Sequence, residues 1–191
     1  MGKGRLEAFS DGVFAVIITI MVLEMKVPQG ADLAALAVVL PVFLVYVLSF
    51  VNVGIYWNNH HHMLHAVERV DGRSLWANLH LLFWLSLLPF TTGWMGENHF
   101  AALPTAVYGV VLLMAGFAYT LLQMSLVAAD TGRKTLSRAV GRDLKGKLSV
   151  AAYACAIPLA FLNQWISDTL YVAVALMWIV PDRRIEKVLA A

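Results

Sequence analysis

The sequence predicts an all-α integral membrane protein with six transmembrane helices, on three observations. Of its 191 residues, 60% are hydrophobic and only 14% are charged, against about 25% charged in an ordinary soluble domain. The charges are missing from long blocks, each near the roughly 20 apolar residues that a helix needs to cross a hydrocarbon core about 30 Å thick. The basic residues between those blocks then fall almost wholly on one side of the membrane.

The first block runs about 7–25 and is closed by Lys26, Pro28 and Gly30. The second, about 33–60, begins after Asp32 and carries Pro41. The third and fourth occupy about 75–95 and 104–128. The fifth and sixth, about 147–163 and 165–181, are joined by a short polar turn at Asn163 and Gln164 and predict a tight antiparallel hairpin. The sixth is ended by Pro181, Asp182, Arg183 and Arg184. With no soluble domain, low-complexity segment or internal repeat evident, residues 1–191 read as a single six-helix domain. No cleavable signal peptide is evident, and the lone Cys155 excludes an intrachain disulfide framework.

With six spans, Lys3, Arg5, Arg69, Arg73, the basic stretch from Arg133 to Lys147 and the tail cations Arg183, Arg184 and Lys187 share one side. Lys26 alone lies opposite. Such a bias predicts cytoplasmic amino and carboxyl termini and a multi-pass protein of the cell (plasma) membrane. The opposite side is mildly acidic, with Asp32, Glu97 and Asp168, which reads first as solvated loop ends. The basic stretch is long enough for a short interfacial helix, although topology alone accounts for its charge.

Ionisable groups inside a membrane helix cost about 2.5–3.5 kcal/mol on insertion scales and call for a partner. Asp11 lies six residues beyond Arg5, roughly 9 Å deeper along the axis. It reads either as a helix-start cap in "FSDG" or, with seven uninterrupted non-polar residues after it, as part of a buried network facing neighbouring helices. The second span ends in "WNNHHHMLH". His60, His61 and His62 point about 100° apart on a helix and cannot share a face. Only His61 and His65 have an i, i+4 spacing suited to zinc, without a third ligand, so a zinc site is the lesser reading. The favoured one turns a single histidine inward to bond a carboxylate. No nucleophile turn, paired-glutamate metal motif, phosphate loop or haem motif marks an enzyme. No cofactor is expected, nothing suggests nucleic acid, and the TVGYG filter sequence is missing.

Arg5, Phe9, Ser10 and Asp11 spell RxxxFSD at the head of the first span. This resembles the signature of the lysosomal potassium channel family (transmembrane protein 175) and its bacterial members. Trp57 and His60 resemble that family's WxxH, and Asn78 with Pro89-Phe90 its third helix. The resemblance is strong over about 5–25, moderate to about 95, and rests on helix count beyond.

It implies a potassium-permeable cation channel: a homotetramer in the lipid bilayer whose first helix lines a central pore, with no carbonyl filter. It places the aliphatic constriction at Val16, the next apolar rings at Ile20 and Leu23, and the pore threonine at Thr19. Val16 stands where the family has isoleucine and is a methylene smaller, which leaves the narrowest ring at Val16, Ile20 or Leu23. Periodicity is compatible, since residues 16, 20 and 23 fall within about 60° of one helix face. Arg5, Ser10 and Asp11 would bond the second and third helices through Trp57, His60 and Asn78. The rings would act as a hydrophobic gate with leaky preference for potassium over sodium. The competing class is a proton- or ion-coupled secondary transporter using Asp11 and a histidine as a relay; a non-conducting scaffold is a third.

Overall fold

The computed structural model describes residues 2–129 and 143–179, and all of its regular structure among them is helical. The helices are α1 (Gly4–Leu23), α2 (Leu33–His65), α3 (Gly72–Ser86), α4 (Leu88–Glu97), α5 (Ala102–Ala129), α6 (Leu144–Leu159) and α7 (Gln164–Ile179). Most of the Arg133–Lys147 stretch and the tail from Pro181 lie outside the described residues.

Four helical stretches are long and apolar enough to cross a membrane: 4–23, 33–65, 72–97 and 102–129. The third contains α3 and α4, which are separated by Leu87 alone. Leu87 keeps helical dihedrals, φ −85° and ψ −11°, so the chain hardly changes course. The interruption has a local cause. Pro89 has no N–H to return to the preceding turn, and it sits in the first turn of α4, where that loss is tolerated. Counted as one span, α3 and α4 bring the total among the described residues to six helical rods. The sixteen residues of α6 reach only about 24 Å, and α7 has sixteen as well.

Aspartates open three of the helices. Asp32 accepts from the Ala35 N–H at 2.8 Å, Asp71 from the Ser74 N–H at 2.8 Å, and Asp143 from the Gly146 N–H at 3.0 Å. Each satisfies a donor that the first helical turn would otherwise leave open. Pro41 lies within α2 and does not end it. At the α4–α5 turn the Phe100 N–H reaches the Met95 carbonyl at 3.0 Å, a Schellman closure that puts His99 and Phe100 at φ 51° and 60°.

α5 is the hub, packing against α3, α4, α6 and α7, while α1 lies against α2, α3 and α4. Leu112, Ala115, Ala118 and Leu122 of α5 are fully enclosed. Where α4 meets α2 a glycine is required: a Cβ on Gly96 would stand 2.5 Å from the Val42 Cα. Small residues let membrane helices approach to this distance.

Candidate functional site

α1 divides into two faces. Leu6, Ser10, Phe14, Ile17 and Met21 are buried, spaced at four, four, three and four residues, which is one stripe turned toward the chain's own bundle. Val16, Ile20 and Leu23 remain 53%, 40% and 79% exposed, and Thr19 is exposed beside them. Their sector lies about 110° around the helix from the buried stripe. Nothing else among the described residues covers this aliphatic face. Thr19 gives its hydroxyl proton to the carbonyls of Ala15 or Val16, at 3.1 and 2.9 Å, so its oxygen lone pairs stay free.

The polar residues at the head of α1 form two separate arrangements. In the first, buried one, Asn78 Nδ2 donates to Ser10 Oγ at 3.0 Å, and His60 Nε2 meets Asn78 Oδ1 at 2.7 Å. Because the amide nitrogen serves Ser10, its oxygen must accept, which puts the proton on His60 Nε2. Ser10 and Asn78 are fully buried and His60 is 1% exposed. Phe14 stands edge-on to the His60 ring, 5.6 Å between centroids. In the second, Trp57 Nε1 donates to Asp11 Oδ1 at 2.9 Å on the exposed flank of α1 and α2.

This differs from the sequence expectation in three respects. The inward-turned histidine is His60, but its partner is the neutral amide of Asn78 and not a carboxylate. Asp11 is exposed in the single subunit, because it lies about 100° from the centre of the buried stripe. Arg5 is exposed and has no hydrogen bond or ion pair among the described residues. Lys3 does what Arg5 was expected to do. Its ammonium donates to the Leu64 carbonyl at 2.7 Å, at the C-terminal end of α2, where cations are favoured.

His61 and His65 stack on one another with centroids 6.1 Å apart and planes at 15°. Trp57 continues the stack at 6.2 Å. Among the described residues no three histidine, cysteine, aspartate or glutamate side chains are grouped to hold a metal.

Sequence reasoning missed a second buried cluster deeper in the membrane. Ser49 Oγ bonds Thr92 Oγ1 at 2.6 Å and Tyr108 Oη at 3.0 Å. Thr92 in turn touches Met21 Sδ at 4.0 Å. These bonds tie α2, α4 and α5 together behind the aliphatic face of α1. The signal available was Thr91-Thr92 directly after Pro89-Phe90, two hydroxyls in an otherwise apolar run.

This arrangement defines a class: a multi-pass α-helical membrane protein whose first helix is anchored at its polar head and leaves an aliphatic face unpartnered. A family model described as endosomal/lysosomal potassium channel TMEM175 matches residues 5–89. The chain is 51% identical to a potassium channel of Chryseobacterium sp. (strain P1-3), over 98% of this chain and 97% of the relative. It is 33% identical to a potassium channel of Streptomyces collinus over 84% of each. The crystal structure of a lysosomal potassium-selective channel TMEM175 homolog from Chamaesiphon minutus superposes with a TM-score of 0.82 at 29% identity, covering 94% of this chain and 97% of that one. The chain belongs to the TMEM175 family. The family and these relatives are ion channels, not enzymes.

Proposed function

We propose that four copies of this chain form a potassium-permeable channel in the cell membrane, with both termini cytoplasmic and α1 of each copy lining the axis. The observation that carries this is the uncovered face of Val16, Thr19, Ile20 and Leu23. One helix cannot enclose a path, so a path along that face needs other copies, and closed symmetry is the usual solution. The relatives named as potassium channels support potassium as the ion.

In this reading the aliphatic rings set the conductance. A narrow apolar ring expels water and blocks ions, and modest widening rewets it. Aliphatic carbon offers a cation no ligand, so preference for potassium over sodium rests on partial dehydration at the constriction, helped by the free lone pairs of Thr19. The preference is leaky for that reason. Behind the rings, Ser10, Asn78 and His60, with Asp11 and Trp57, fix the rotation of α1, and Met21 seats it on the Ser49–Thr92–Tyr108 cluster.

Planar-bilayer recording tests the assignment. Ile20→Asn and Leu23→Asn put amides into the rings and should each raise single-channel conductance and alter the potassium/sodium permeability ratio. Currents unchanged by both would remove α1 from the conduction path. A coupled carrier would instead show flux that saturates with substrate and no unitary steps.

A further inference from the structure

Away from the α1 face, α2, α5, α6 and α7 enclose a cavity of about 60 Å3, room for roughly four or five non-hydrogen atoms at 10–15 Å3 for each water-sized sphere. Its wall is aromatic and oxygen-rich. Tyr56, Tyr119, Tyr153 and Trp178 supply four rings, Asn59 an amide, and Asp143 the one charged side chain among the described residues of the lining. We propose that this cavity binds a small organic ammonium ion, with the rings facing the cation and the Asp143 carboxylate balancing its charge.

The sign of the ligand follows from the lining. Among the described residues of the lining the one formal charge is negative, and aromatic faces attract cations through their quadrupole, more strongly where water is scarce. The rings are held in place. Tyr56 and Tyr119 meet edge to face with centroids 6.1 Å apart. Trp178 Nε1 donates to Ser149 Oγ at 2.8 Å, and that hydroxyl donates to the Lys145 carbonyl at 2.8 Å. Trp178 already takes part in such chemistry within the chain: the Lys145 ammonium lies 5.6 Å from its ring centroid.

Two features fit a ligand rather than packing alone. The hydroxyls of Tyr56 and Tyr153 have no hydrogen-bond partner among the described residues, although Tyr153 is 4% exposed, so the wall keeps unused polar capacity. Asp143 spends one oxygen on the Gly146 N–H as the cap of α6, which leaves the second for a cation. A pocket mostly apolar in surface with a few convergent polar groups is the usual form of a small-molecule site.

The test is ligand-observed NMR on the full channel in lipid nanodiscs. The probe is tetramethylammonium, and tert-butyl alcohol, uncharged and with the same number of non-hydrogen atoms, is the control. Saturation transfer should be seen for the cation and be at least tenfold weaker for the alcohol. Asp143→Asn keeps a competent helix cap and should weaken cation binding about tenfold; Tyr153→Leu, which removes a ring, should weaken it further. Single-channel currents of Asp143→Asn monitor folding and assembly independently. Equal binding of cation and alcohol, or cation binding untouched in both variants, overturns the proposal. In the second case the cation sits elsewhere, the conduction path included.

Discussion

Removing the Asn78 side chain would leave two buried partners, Ser10 and His60, without their shared bond. An unsatisfied buried polar group costs about 1–3 kcal/mol, so Asn78→Ala should lower unfolding stability in detergent by about 2 kcal/mol or more. Ser10→Ala should cost less, because Ser10 is satisfied a second time by the Leu6 carbonyl at 2.8 Å and Asn78 keeps His60. Equal losses would mean that the bond is not shared as drawn. Asp168 presents the opposite case. Both of its carboxylate oxygens are shielded from solvent and have no partner among the described residues. A charge held that way opposes folding. Asp168→Asn should therefore raise the thermal midpoint of the channel, and a fall would reveal a partner contributed by another subunit. The motif and its resemblance named the members of this network, Ser10, Asn78 and His60, but not how they divide between buried and exposed bonds. RxxxFSD pointed to Ser10 and Asp11 as anchors, but helical angle alone separates the buried serine from the exposed aspartate one residue later. That Arg5 stands apart while Lys3 reaches α2 depends on where α2 ends, which the sequence reading set five residues short.

At the scale of elements, two prolines show what a sequence can and cannot convey. Pro41 and Pro89 look alike in their apolar runs. Yet α2 continues through the first, and the third span divides just before the second. Pro89 falls in the first turn of α4, where its missing N–H is tolerated, whereas Pro41 is carried inside a helix that packs on α4 at the adjacent Val42. The apolar blocks themselves were readable because hydrocarbon leaves the backbone no alternative to helix. Gly96 carries the α2–α4 contact, and Gly96→Ala would set a methyl against the Val42 backbone. The helices would have to part, and stability should fall by about 1–3 kcal/mol, measurable as a lowered midpoint with the Asn78–His60 cluster intact. Asp71, which opens α3, has its carboxyl held below the usual 3.8 by the Ser74 N–H, then the Ser74 hydroxyl, with the Arg73 charge adding to them. A depressed carboxylate contributes stability that is present above the unfolded value and lost as pH falls through the folded one. The start of α3 should therefore loosen in hydrogen exchange as pH drops below about 4, and Asp71→Asn should remove that dependence.

At the scale of the whole molecule, the uncovered α1 face, the exposed Asp11–Trp57 pair and the exposed Arg5 all belong to a surface that a lone subunit would give to lipid. Lipid accepts Val16, Ile20 and Leu23 readily, but its hydrocarbon gives Asp11 no partner beyond Trp57. In the proposed assembly around an axis, the aliphatic rings would face the path and the charged heads would face neighbouring subunits. The geometry gives a direct consequence at Leu23, the most exposed aliphatic on α1 and close to its end. In a background with the exposed Cys155 replaced by serine, Leu23→Cys should form disulfide-linked dimers under mild oxidation in membranes. A disulfide needs Cα atoms about 4.4–6.8 Å apart, so the yield reports how closely α1 helices converge. Cysteine at Phe14, on the buried stripe, should give none. Crosslinks at neither position, with the same variants still conducting, would move the α1 helices away from the axis. The aliphatic face would then be a lipid contact, and the path for ions would have to be sought inside each subunit.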